Sequence, residues 1–166
     1  MGLKNKKFRK YAIVYTLCFV GMVLFFYFFF DMQGEAGMAE IKPNSLSRAL
    51  EIVFNNMKNY IQYLVCFPLW PFFFLGDLLL TTWTIAMSVH INGIVDTLSN
   101  LFPHGLLEFP NMILYSGLSF IHFRNMIKNR CFSLELFWNK VKEYKKYYII
   151  SFICVIIAGM VEGLLT

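Results

Sequence analysis

The stretch 60–95, YIQYLVCFPLWPFFFLGDLLLTTWTIAMSVHINGIV, decides the fold. It contains one carboxylate, Asp77, and no lysine or arginine over thirty-six residues. A helix rises about 1.5 Å per residue and the hydrocarbon core is about 30 Å thick, so this run is long enough to cross a bilayer twice. Gly76 and Asp77 are its main interruption, and they predict a tight helical hairpin with arms at 60–76 and 78–95. Pro68 and Pro71 are expected to bend the first arm, which membrane helices tolerate when neighbours satisfy the freed carbonyls. A partly re-entrant segment, leaving four spans, is the alternative.

Working outward, residues 11–30 form an uncharged run of the length of one span. It passes into Asp31 and Met32 without the small-residue cleavage site of a secretory signal, so it is expected to remain as an anchor. On the other side, Pro103 is a favoured first-turn residue and opens a span at 103–123, with a kink expected at Pro110. A last span covers 147–165. The fold class is therefore all-α, a polytopic transmembrane bundle of about five spans at 11–166, preceded by a basic tail at 1–10. Composition agrees, since the 166 residues are 58% hydrophobic and only 15% charged, whereas soluble domains carry about a quarter charged residues. The four cysteines have no metal or redox spacing. No cofactor or metal is expected.

The basic residues set direction. Five of the fifteen lie in positions 1–10, seven lie between Arg124 and Lys146, and Lys42, Arg48 and Lys58 make up the rest. By the positive-inside rule the N-terminus is expected to be cytoplasmic and the C-terminus outside. The net charge of +5 is thus explained by topology, and without a basic patch interleaved with exposed aromatics nucleic acid is not a partner.

Two amphipathic segments join the spans. In 45–58, Pro43, Asn44 and Ser45 form a polar cap, and Leu46, Leu50, Val53 and Met57 recur at helical spacing, predicting a helix on the outer interface. In 133–146, Phe137, Val141 and Tyr144 recur beside Lys140, Lys142, Lys145 and Lys146. That face is expected to rest on the anionic lipid bilayer or to dock a cytoplasmic partner.

Ionised groups cost at least about 2.5 kcal/mol at mid-membrane, so polar residues near spans need a reason. Asn55, Asn56, His90, Asn92, His104, Gly105, Glu108 and Glu162 all fall toward the outer side in this topology and are expected to form a polar cluster there, with the inner half essentially apolar. His104 and Glu108 share a helical face, with Gly105 leaving room for a neighbouring backbone. The readings open for them are interhelical hydrogen bonding, binding of a ligand or peptide, and chemistry or a metal. The last is weakest, because two ligands make no site and no nucleophile accompanies them. Gly159 and Gly163 give the last span a small-residue face for helix packing.

Four segments then carry a resemblance: Phe54-Asn55-Asn56-Met57-Lys58, Ile91-Asn92-Gly93, Phe102-Pro103-His104-Gly105-Leu106-Leu107-Glu108 and Val161-Glu162-Gly163-Leu164-Leu165-Thr166. In order and spacing over residues 45–166 they resemble the stage II sporulation protein M family. The resemblance implies a bacterial multi-pass membrane protein that is not an enzyme. In sporulation it implies partnership with peptidoglycan (cell-wall) hydrolases during engulfment. In small members, which this compact chain is like, it implies an accessory protein for maturation, export or immunity toward a circular bacteriocin peptide.

Three functions follow as expectations. The first is a scaffold or partner subunit for other membrane proteins. The second is a peptide-binding component beside an ATP-driven transporter, since the chain has no P-loop of its own. An intramembrane hydrolase or ligase on His104 and Glu108 comes last. The apolar faces also allow a homo-oligomer.

Overall fold

A computed structural model describes residues 6–30, 45–130 and 133–165. Of the tail expected at 1–10, residues 1–5 lie outside the described residues, as do 31–44, 131–132 and Thr166, whereas residues 6–10 are already helical and open α1. Those described are helical: α1 (Lys6–Phe29), α2 (Leu46–Val65), a 3-10 turn (Phe67–Leu69), α3 (Trp70–Asn129) and α4 (Leu134–Leu165). Three segments are long and apolar enough to cross a bilayer, Phe8–Phe29, Phe67–Pro103 and Leu134–Leu164. The all-α class and the membrane setting stand.

The hairpin is not where the sequence placed it. The helix runs through Gly76 and Asp77, and the one residue of α3 with non-helical angles is Gly93, at φ 81° and ψ 166°. A glycine inside a helix costs only about 1 kcal/mol relative to alanine, too little to break a helix buried in lipid. At Gly93 the angles themselves demand glycine, because an added Cβ makes that region prohibitive for other residues. The turn there is sharp. Residues 88 and 97 would lie about 13 Å apart along a straight helix, yet the Ser88 and Thr97 hydroxyls are 3.0 Å apart, and Asn92 Nδ2 donates to Ser88 Oγ at 3.3 Å. α3 therefore has two arms, 70–92 and 94–129. Trp70 at the start of the first arm donates through Nε1 to Ser116 Oγ in the second, at 3.3 Å.

The expected first arm at 60–76 is also divided. α2 stops at Val65, Pro68 lies in the 3-10 turn and Pro71 in the first turn of α3. Two prolines three residues apart remove two backbone donors, so one helix ends and another begins instead of bending. Nor does a helix start at Pro103, because the second arm already runs from 94 with helical angles at Pro103 and Pro110.

Two compact units result. One contains α1 and residues 74–103. There α1 runs parallel to the first arm, with Tyr15 against Phe74 at 5.5 Å, Phe26 against Trp83 at 5.3 Å and Tyr27 against His90 at 4.6 Å between ring centres. The other contains α2, residues 66–73, residues 104–129 and α4, and holds most of the polar residues singled out above. In both, small polar side chains are buried beside apolar ones, and many bulky apolar side chains are exposed. The largest fully buried side chains are Thr82, Ser116, Ser119 and Ser151, whereas Leu17, Phe28, Ile149 and Ile153 are exposed. Lipid offers no hydrophobic drive for helix association, so packing relies on small side chains and polar contacts, and bulky apolar groups face the acyl chains.

The same rule corrects the reading of α2. Ser45 caps it as expected, accepting from the Arg48 amide at 3.2 Å. Yet Leu46 and Leu50 point out of the unit, at 59% and 55% exposed, and Ala49 is fully buried. The buried stripe is Ala49, Val53, Asn56, Tyr60 and Tyr63, rotated from the leucine face. α2 is thus one helix packed along α4, in place of a surface helix feeding a separate span. Likewise Ser133 opens α4, accepting from the Leu136 amide at 3.4 Å, and the amphipathic segment 133–146 continues without a break into the last span.

Candidate functional site: a polar seam between three helices

Alternating steps of four and three residues place Ala49, Val53, Asn56, Tyr60, Tyr63 and Phe67 on one side of α2 and of the turn that follows it. This is the spacing of a left-handed helix seam. α2 runs antiparallel to α4, because Val53 meets Gly159 and Ala49 meets Gly163. The approach is close. A Cβ built on Gly163 would lie 2.2 Å from Ala49 Cα and 2.5 Å from its nitrogen, and one on Gly159 would lie 3.0 Å from Val53 Cα. The expected small-residue face of the last span therefore packs on the backbone of α2.

The second arm of α3 runs parallel to α2 and supplies the third side. Asn56 Nδ2 donates to Glu108 Oε1 at 3.3 Å, and Glu162 precedes Gly163, which packs on Ala49 of the same α2. Asn56, Glu108 and Glu162 are all half-buried. Further along, Ser151 Oγ donates to Asn111 Oδ1 at 2.6 Å, joining α4 to α3. Tyr60 donates its hydroxyl to the Tyr148 carbonyl at 3.0 Å, joining α2 to α4. Ser119 Oγ donates to the Tyr63 carbonyl at 2.8 Å, and His122 Nε2 bonds the Tyr148 hydroxyl. Each pair of helices is thus bridged by side chains with few alternatives, because lipid cannot hydrogen-bond a released polar group.

Of the residues singled out in the sequence, Asn56, Glu108 and Glu162 come together in this unit. Asn55 lies on the exposed face of α2, and Gly105 is half-buried one turn before Glu108. The backbone of His104 lies in the second arm, and its side chain is outside the described residues. His90 and Asn92 belong to the other unit, where His90 Nε2 bonds the Tyr27 carbonyl at 2.9 Å and Asn92 braces the Gly93 turn.

The expectation of an apolar inner half fails. Asn111, Ser116, Ser119 and His122 are buried and polar, and continue the seam down the second arm. A sequence signal exists for them: Glu108, Asn111, Tyr115, Ser119 and His122 recur on one helical face within an otherwise apolar run. Chemically the seam can exchange protons and hydrogen bonds. Among the described residues no three of His, Cys, Asp and Glu gather as metal ligands.

The motifs therefore have structural counterparts: FNN supplies Asn56, ING supplies the turn at Gly93, the segment ending at Glu108 supplies the acceptor, and VEG supplies Glu162 and the close contact at Gly163. Neither a curated protein nor a solved structure matches the chain. The sequence model of stage II sporulation protein M matches residues 14–166, nearly the whole chain. The chain belongs to the stage II sporulation protein M family.

Proposed function

We propose that the chain is a non-catalytic subunit of a membrane protein complex, a scaffold whose polar seam fixes the helices that partners recognise. The observation that carries this reading is how the seam spends its polar groups. Asn56, Asn111, Tyr60, Ser119 and Ser151 each bind across to another helix, which favours holding helices in register over acting on a substrate. The clustering of basic residues at 1–10 and between Arg124 and Lys146 supports a cytoplasmic N-terminus and, after an odd number of crossings, an extracytoplasmic C-terminus in the bacterial cytoplasmic membrane. A reporter active only outside the cell should work when fused after Thr166.

The seam reading makes a graded prediction. Glu108→Gln keeps a carbonyl oxygen to accept from Asn56, whereas Glu108→Leu leaves that amide unpaired at a cost of about 1–3 kcal/mol. Thermal unfolding in detergent and copurification of the complex should show the Gln variant close to wild type and the Leu variant clearly impaired. Equal and complete loss of assembly in both would count against packing as the role of Glu108. The partner set then separates the two roles proposed for the chain: cell-wall hydrolases would mark engulfment, and a small apolar peptide with an ATPase would mark bacteriocin maturation, export or immunity. A metal in the purified protein, or an activity lost in His104→Ala with the fold retained, would replace the scaffold by an enzyme.

A further inference from the structure

α4 is thirty-two residues long, more than the roughly 20 that cross a hydrocarbon core. Its apolar part is 147–165, and Lys140, Lys142, Lys145 and Lys146 precede it. With those lysines at the boundary, the start of α4 stands up to about 20 Å beyond the hydrocarbon. An open apolar groove of about 290 Å³ lies on that projecting part. It is lined by Leu64, Val65 and Phe67 from the end of α2 and the turn after it, and by Leu134, Phe137 and Trp138 from the start of α4. Val65, Leu134 and Trp138 are each more than half exposed. With the lysines at the boundary, this apolar groove lies beyond the hydrocarbon, and an exposed apolar patch rimmed by charge marks an interaction site.

Charge and depth choose the occupant. A phospholipid whose phosphate met the lysines would send its tails toward the bilayer centre, away from the groove. The chain's own first ten residues carry five basic groups, and a second copy would bring the same lysines, so like charges oppose both. Glu135, Trp138, Lys142 and Lys145 fall on one face of α4, the three charged side chains are exposed, and the two lysines leave that face net basic.

The geometry points to docking of another protein's amphipathic helix, with apolar side chains in the groove between α2 and α4 and acidic residues against Lys142 and Lys145. This rests on the reading of the chain as a partner-holding subunit, and on the orientation above it is a cytoplasmic contact. It follows the helix-in-groove mode, in which apolar anchors supply affinity and rim charges supply selectivity.

Two measurements on the full chain test it. In micelles, a labelled synthetic helix with a Leu/Phe face and a Glu rim should bind at least tenfold tighter than the same helix with a Lys rim. The double variant Lys142→Glu, Lys145→Glu should reverse that preference while unfolding at the wild-type temperature. Equal binding of the two peptides, or a preference unchanged in the double variant, overturns the proposal. In cells, a photocrosslinking amino acid in place of Trp138 should give a discrete adduct to another protein that falls tenfold in the double variant. Adducts to lipid alone, to a second copy, or insensitive to the charge reversal also overturn it. Failure here with Glu108→Leu still impaired removes only the groove, whereas an unimpaired Glu108→Leu removes the scaffold reading itself.

Discussion

Gly163→Ala is expected to be among the most damaging single-methyl changes in the chain. The new Cβ would sit 2.2 Å from Ala49 Cα and 2.5 Å from Ala49 N, and neither atom can move without moving α2. Overpacking usually costs about 1–3 kcal/mol, and a clash against backbone belongs at or above the upper end. Displacing α2 also pulls Asn56 from Glu108, so the loss spreads along the seam. Thermal unfolding in detergent should show a drop of about 10 °C, from about 3 kcal/mol at roughly 2–4 °C per kcal/mol for a chain of this size. Gly21→Ala and Gly76→Ala are the controls. Nothing lies within 4 Å of a Cβ at either position, so the better helix propensity of alanine should leave them unchanged or stabilised by up to about 1 kcal/mol. If all three variants behave alike, the close approach of α4 to α2 is wrong.

Gly93→Ala is expected to have a comparable effect by a different route. No neighbouring atom obstructs a Cβ at 93, so sterics with other residues play no part. The cost comes from φ 81° and ψ 166°, a region other residues enter at about 1–3 kcal/mol. Asparagine distinguishes this position from a helix cap. Arg130, at φ 51° and ψ 22°, ends α3 in the left-handed region that asparagine tolerates, whereas the extended ψ at Gly93 lies outside it. Gly93→Asn should therefore be as destabilised as Gly93→Ala, measured as yield of folded protein and unfolding temperature. Rescue by asparagine would place the turn elsewhere.

The sequence made the all-helical membrane fold legible because twenty-residue runs free of charge have few other stable outcomes. It also revealed Ser45 as a cap, Ser133 as the start of α4 and the Gly159/Gly163 face, each of which reports local chemistry. Two of the misplaced features, the Gly76 turn and the face of α2, come from rules transferred from water to lipid, whereas the divided 60–76 arm comes from Pro68 and Pro71. Gly76-Asp77 reads as a turn where solvent competes for backbone groups, but lipid does not compete and the helix continues. Leu46 and Leu50 read as the apolar stripe of a separate interfacial helix, but they lie on the exposed side of a single helix, Leu46–Val65, and Ala49 goes inside because it lets backbones approach. Part of the seam was hidden for a related reason. Tyr60, Ser116, Ser119 and Ser151 hardly alter the hydropathy of a span, although their hydroxyls decide which helix faces which. Asn56, Glu108 and Glu162 drew notice alone, whereas Asn111 and His122, equally polar, show only through their shared helical face with Glu108 and Ser119.

The most direct test of the seam is a double-mutant cycle on the joint of Asn56 with Glu108. Stabilities are measured for Asn56→Val, Glu108→Leu and the pair together. If the two side chains bridge α2 and α3, the second substitution costs little once the first is made, giving a coupling of about 1 kcal/mol or more. Additive losses, within about 0.5 kcal/mol, would mean that the two residues act apart and that the helices are held by something else.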